Sequence, residues 1–129
     1  MIRWTLELPD RLRSQNAFKD WRTRHRDRQH WQYAVLVNLL AQGHRSVVPL
    51  QVKQRITITR HLGPRERLYD DGGGIGGSMK QIVDAVKRLG WMHDDSPRWC
   101  EQVFAQDDTR RDRPGVTITL EEIQDVLYG

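Results

Sequence analysis

Apolar and polar positions alternate from the start of the chain. Ile2, Trp4, Leu6 and Leu8 fall on one side of an extended segment, Arg3, Thr5 and Glu7 fall on the other, and Pro9 ends the run. This period of two predicts a half-buried strand. From about Gln29 to Gln42 the spacing changes. Trp31, Ala34, Val35, Leu36, Val37, Leu39 and Leu40 crowd too closely for one narrow stripe, which predicts a helix buried on most sides and stopped by Gly43. Residues 50–60 alternate again, with Leu50, Val52, Ile56 and Ile58 opposite Gln51, Lys53, Arg55, Thr57 and Thr59. Residues 61–77 read as a loop that ends in DDGGGIGG. A second helix is expected from about Ser78, as N-cap, to Leu89, with Gly90 as its stop. Its Met79, Ile82, Val83, Val86 and Leu89 share one arc, and Lys80, Asp84, Lys87 and Arg88 the opposite one. Strands follow at about 98–106 and 115–120, with Pro114-Gly115 shaping the turn, and a short closing helix is expected over Glu121 to Leu127. The order β–α–β–α–β–β predicts an α+β fold, a small mixed sheet with helices packed on one face.

Length and composition narrow this further. A chain of 129 residues is one domain, spanning 1–129. With 37% hydrophobic and 29% charged residues it is globular but polar, and a homodimer would bury additional apolar surface. The net charge of +4 and a pI near 9.6 favour a polyanionic partner. The single cysteine, Cys100, excludes an internal disulfide framework and zinc-ligand spacing, and is expected to act as a small buried hydrophobe. His25, His30, His44, His61 and His93 show no paired ligand spacing either. The alternating N-terminus is not a signal peptide, and no run approaches a membrane span. The expected location is the cytoplasm, with no membrane partner.

Two acidic doublets flank the second helix: Asp70-Asp71 before it and Asp94-Asp95 after it. Hard carboxylate oxygens suit Mg²⁺, or Mn²⁺, which they share with waters and substrate phosphate. Such an ion activates water for attack on a phosphodiester. A helix of about 12 residues is roughly 18 Å long, so the doublets meet only if the glycine loop folds back or a second subunit contributes. On their own, such doublets also mark ordinary solvated turns. The stretch 11–30 is basic and is the leading candidate for DNA contact, through Arg13, Lys19, Arg22 and Arg24, with Asn16 among them and Phe18 and Trp21 able to anchor the segment or stack on bases. Arg60, Arg65 and Arg67 add positive charge beside the first doublet. GGGIGG before a helix invites a nucleotide-binding reading, but the Gly-Lys-Ser/Thr ending of a phosphate loop is missing, so no nucleotide cofactor is expected.

The segment RLYDDGGGIGGSMKQIVDAVKRLGWMHDDSPRW, Arg67 to Trp99, resembles the core of the RusA-like Holliday-junction resolvases, especially their phage-borne branch. The resemblance rests on Lys80, Asp84-Ala85, Gly90-Trp91 and the terminal Asp94-Asp95. It implies a homodimeric, magnesium-dependent endodeoxyribonuclease that binds and symmetrically cuts four-way junction DNA in recombination and repair. It further implies Asp95 as a metal ligand, with Asp94 beside it and Asp70 or Asp71 as the upstream ligand. Lys80 would be a catalytic residue that orients phosphate. The family's first motif reads Asp-x-Asp-Asn, whereas this chain continues from Asp70-Asp71 into Gly72, Gly73 and Gly74. Three readings therefore stand: an active resolvase, a catalytically weakened junction-binding protein of the same fold, and a generic basic nucleic-acid-binding module.

Overall fold

A computed structural model describes residues 1–14, 20–45, 51–69 and 74–123. Among them the elements run β1 (Ile2–Leu8), α1 (Trp21–Ala41), β2 (Gln54–His61), α2 (Gly74–Arg88), β3 (Cys100–Asp107) and β4 (Gly115–Glu122). The sheet order is β1-β4-β2-β3. β4 is antiparallel to both β1 and β2, and β2 and β3 are parallel across the α2 crossover, so the sheet is mixed. This is an α+β architecture.

Residue rows run straight across the sheet. Leu6, Ile118, Ile58 and Phe104 form one row, and Trp4, Leu120, Ile56 and Gln102 the next. Their aliphatic and indole members are buried, and α1 and α2 cover this face. Burying each large apolar side chain contributes about 1.5–3 kcal/mol, which is why the alternation sets the inward face. The opposite face carries Thr5, Thr119, Thr57 and Val103 and remains half-buried or exposed, with Thr5 and Thr119 joined through their hydroxyls at 3.2 Å. Trp91 packs edge-on to Trp4 with ring centres 5.9 Å apart, tying the turn after α2 to β1. No helix among the described residues is long and apolar enough to cross a membrane.

Several expectations need correction. The first helix starts at Trp21, not near Gln29, so half of the basic stretch is helical. Asp20 caps it, accepting from the Thr23 N–H at 3.0 Å and the Thr23 hydroxyl at 3.1 Å. Its buried stripe is Asp27, Trp31, Ala34, Val35 and Leu39, and the acid at its head breaks the apolar pattern. Burial pushes the Asp27 carboxyl up. The helix is not buried on most sides: Tyr33, Leu36, Val37 and Leu40 are 71%, 41%, 44% and 50% exposed and fall on a second stripe. α2 begins four residues earlier than expected, and Ser78 is fully buried inside it rather than capping it. Inward packing of Ile75 and Met79 overrides the poor helix propensity of Gly76 and Gly77. Ile2 is exposed because the β1–β4 register shifts between Ile2 and Trp4. Glu121 and Glu122 extend β4 instead of opening a helix, and residues 124–129 lie outside the described ones. Leu50, at the expected start of the second strand, also lies outside them. Gly43 and Gly90 do end their helices, with φ of 83° and 87°, a region that favours glycine.

Candidate nucleic-acid interface

The downstream acidic pair is placed by α2 and by the turn after it. Lys87, in the last turn of α2, reaches Asp94 at 3.0 Å and Asp95 at 3.2 Å. Lys87, the Ser96 side chain and the Asp95 backbone N–H together hold the Asp94 carboxyl well below the usual carboxylate range. The same pair raises Lys87, through Asp94 first and then Asp95. The Asp95 backbone is held separately: its carbonyl accepts from Gln102 Nε2 at 3.1 Å. Gln102 faces inward on the edge strand β3, which lets its amide reach back over the turn.

Lys80 and Asp95 line one open cleft of about 430 Å³, joined there by Trp21, Arg24, His25 and Arg28 from the first turns of α1. Lys80 and Asp95 also line a second hollow, on the Lys53 and Glu101 side, so they form a rim shared by both. Arg28 binds Asp84 of α2 at 3.5 Å, and Arg88 binds the same carboxylate at 3.0 Å. This ion pair fixes the α1 N-terminal half against α2. It also occupies Asp84, leaving Asp95 as the cleft carboxylate without an arginine partner among the described residues. The arrangement offers one anion-seeking wall and one carboxylate wall across a solvent-open gap.

The approach to the upstream doublet is also braced. Gln106 Oε1 accepts from the Tyr69 N–H at 2.9 Å, and Gln106 Nε2 donates to the Tyr69 carbonyl at 2.9 Å. The Tyr69 hydroxyl donates to the Leu12 carbonyl at 2.9 Å, and the Arg60 guanidinium stacks on its ring. Asp70 and Asp71, next in the chain, lie outside the described residues, as do Asn16, Phe18 and Lys19. Gln102 and Gln106 share one face of β3, about 13 Å apart at 3.3 Å per residue. One strand therefore steadies the turn at Asp95 and the chain leading into Asp70.

The basic residues singled out from the sequence do not converge on one surface. Arg24 and Lys80 share the cleft with Asp95. Arg22 leans on the exposed Trp21 ring at 5.7 Å, at the cleft's edge. Arg13 lines a different hollow with Asp10, Arg26 and His30, and Arg67 a third with Arg11, Arg60 and Arg65. His25, Arg28, Gln102 and Gln106 carry the geometry but did not stand out in the sequence. The signal for the glutamines was available, since positions 102 and 106 share an inward parity in a strand otherwise built to bury apolar side chains.

Among the described residues no three metal-ligating side chains gather. Asp94 and Asp95, both half-exposed and with Asp94 firmly ionised, are a donor pair of the kind that Mg²⁺ takes alongside waters and phosphate oxygens. Fold and site together define an α+β domain with a basic cleft that Asp95 lines. No protein-family model matches the chain, and no curated protein matches it.

Proposed function

We propose that this protein is a structure-selective endonuclease that cuts four-way DNA junctions by metal-dependent phosphodiester hydrolysis, as the resemblance to the RusA-like resolvases implies. The observation that carries this reading is the shared cleft, where Lys80 and Asp95 face basic and aromatic side chains of α1. Mg²⁺ would be held by Asp95 and Asp94 with Asp70 or Asp71, and when bound it would supply an activated water and neutralise charge on the phosphate. Lys80 would orient the phosphate, while Arg24 and Arg28 engage the flanking backbone and Trp21 packs against sugar or base. Lys87 now bridges both carboxylates, so the ion would take the place of its ammonium between them.

The proposed partner set is junction DNA and a second copy of the chain, in the cytoplasm. The exposed apolar stripe Tyr33, Leu36, Val37 and Leu40 on α1 supports the homodimer, because an apolar helix face of this spacing is costly to leave in water. The decisive experiment is cleavage of a synthetic four-way junction against linear duplex in Mg²⁺, Mn²⁺ and EDTA. Wild-type protein is expected to nick the junction with either metal, and Asp95→Asn to bind but not cut. Full activity in Asp95→Asn would sink the metal assignment. A second reading, junction binding without cleavage, is favoured by Gly72–Gly74 standing where the family carries further acid, and predicts binding in EDTA with no cutting in any metal.

A further inference from the structure

The alternation of β2 places a cation inside the protein. Arg60 belongs to the row Leu8, Val116, Arg60, Gln106 and is 1% exposed. Its Nη1 donates to the Arg67 carbonyl and to Gln106 Oε1, both at 2.8 Å. Its Nη2 lies 3.4 Å from Glu66 Oε2, and its guanidinium carbon sits 3.5 Å from the centre of the Tyr69 ring. Among the described residues neither Nε nor Nη2 has a hydrogen-bond acceptor. Both atoms are closed off from solvent and Nη2 keeps Glu66 as its ion-pair partner, so the cost of burying this cation is only partly offset.

That guanidinium walls a cavity of about 440 Å³, whose other charged lining residues are Arg11, Arg65, Arg67 and Glu66. Among the described residues, four arginines against one glutamate leave a formal excess of positive charge, and the glutamate is already engaged. Glu66 takes Arg11 Nε at 2.9 Å and the Gly63 N–H at 2.8 Å. Arg65 and Arg67 are exposed and have no ion-pair partner among the described residues. Pro64, Pro114 and Tyr69 complete the wall with apolar surface.

We infer that this cavity is a second phosphate-binding site, which takes a backbone phosphate of the DNA substrate with its sugar against Pro64 and Pro114. Guanidinium forks approaching from several directions match the spread oxygens of a phosphate. The volume exceeds what a lone carboxylate needs and accommodates the attached sugar. Tyr69 lines the cavity and directly precedes Asp70 in the sequence. The inference rests on the DNA-binding half of the proposed function and is independent of cleavage.

The test measures binding of a synthetic four-way junction by the full chain in EDTA, across about 50 to 200 mM salt. Arg65→Ala combined with Arg67→Ala is expected to weaken binding about tenfold and to reduce the slope of log K against log salt by about one, the signature of one lost phosphate contact. In the wild-type protein the Arg60 Nε–H resonance is expected to shift on adding junction, and inorganic phosphate at millimolar concentration to compete. Unchanged affinity and slope in the double variant, with its thermal unfolding unaltered, would overturn the inference. So would an Arg60 resonance that moves with inorganic phosphate but not with junction, which would mark a free-anion pocket, or one that moves with neither. Wild-type protein that binds junction through this cavity yet cuts nothing in Mg²⁺ leaves the inference standing and removes the nuclease reading. Wild-type protein that does not bind junction removes both.

Discussion

The side-chain amide of Gln106 pairs with the backbone of Tyr69 as a neighbouring strand would, accepting from its N–H and donating to its carbonyl at 2.9 Å each. Position 106 lies at the end of the edge strand, where no further strand among the described residues satisfies the loop's backbone groups. Replacing Gln106 by Ala removes both bonds, together with the one its Oε1 accepts from Arg60 Nη1, and frees the segment leading into Asp70. The expected result is a stability loss of about 1–3 kcal/mol by chemical denaturation and, on the proposed nuclease reading, a junction-cutting rate at saturating DNA that falls far more than junction affinity does. Equal loss of rate and affinity would argue against a positioning role.

The α1 stripe makes a prediction about assembly. Leu36→Glu together with Leu40→Glu places charge on a surface that is already exposed in the single chain, so folding should be preserved. Light scattering should show wild-type protein as a dimer and the double variant as a monomer with unchanged far-ultraviolet circular dichroism. A wild-type monomer at high concentration would refute the dimer assignment.

Gly115 opens β4 between β1 and β2, and a Cβ there would meet the Leu8 carbonyl oxygen at 2.9 Å. The obstacle is backbone in a paired strand, so it cannot rotate away. Gly115→Ala is expected to destabilise the protein by about 1–3 kcal/mol, as overpacking does. A midpoint equal to wild type in denaturant would show that the strands separate more easily than the register suggests.

At the end of β3, Asp107 accepts from the Thr109 hydroxyl and backbone N–H and pairs with His61. These contacts, Thr109 first, hold its carboxyl down at about 2, against an ordinary value of 3.8. Because the folded value is depressed, the stabilisation is fully present above about pH 4 and is lost as pH falls through 2. Comparing wild type with Asp107→Asn by denaturation should show a difference at pH 6 that shrinks below pH 4. A constant difference down to pH 2 would exclude the carboxylate as its source.

Alternation at Trp4, Leu6 and Leu8, at Ile56 and Ile58, and at Val116, Ile118 and Leu120 was sufficient to define three strands and their inward faces, because burial of every second side chain is a local property of an extended chain. The arc Met79, Ile82, Val83 and Val86 defined the core side of α2 for the same reason at helical period. Local pattern could not locate the beginning of α1, since the inward stripe there starts with Asp27, an acid whose burial depends on its tertiary surroundings. Nor could it show that Arg60 lies inside, where strand parity and the neighbouring Gln106 and Tyr69 outweigh the cost of burying a charge. Asp94-Asp95 and Lys80 were readable as candidates by residue type and spacing. That Lys80 and Asp95 share a cleft with Arg24 and His25, while Arg13 and Arg67 line other hollows, was decided by the packing of α1 on α2, a relationship between residues more than 50 positions apart that only the folded chain brings together.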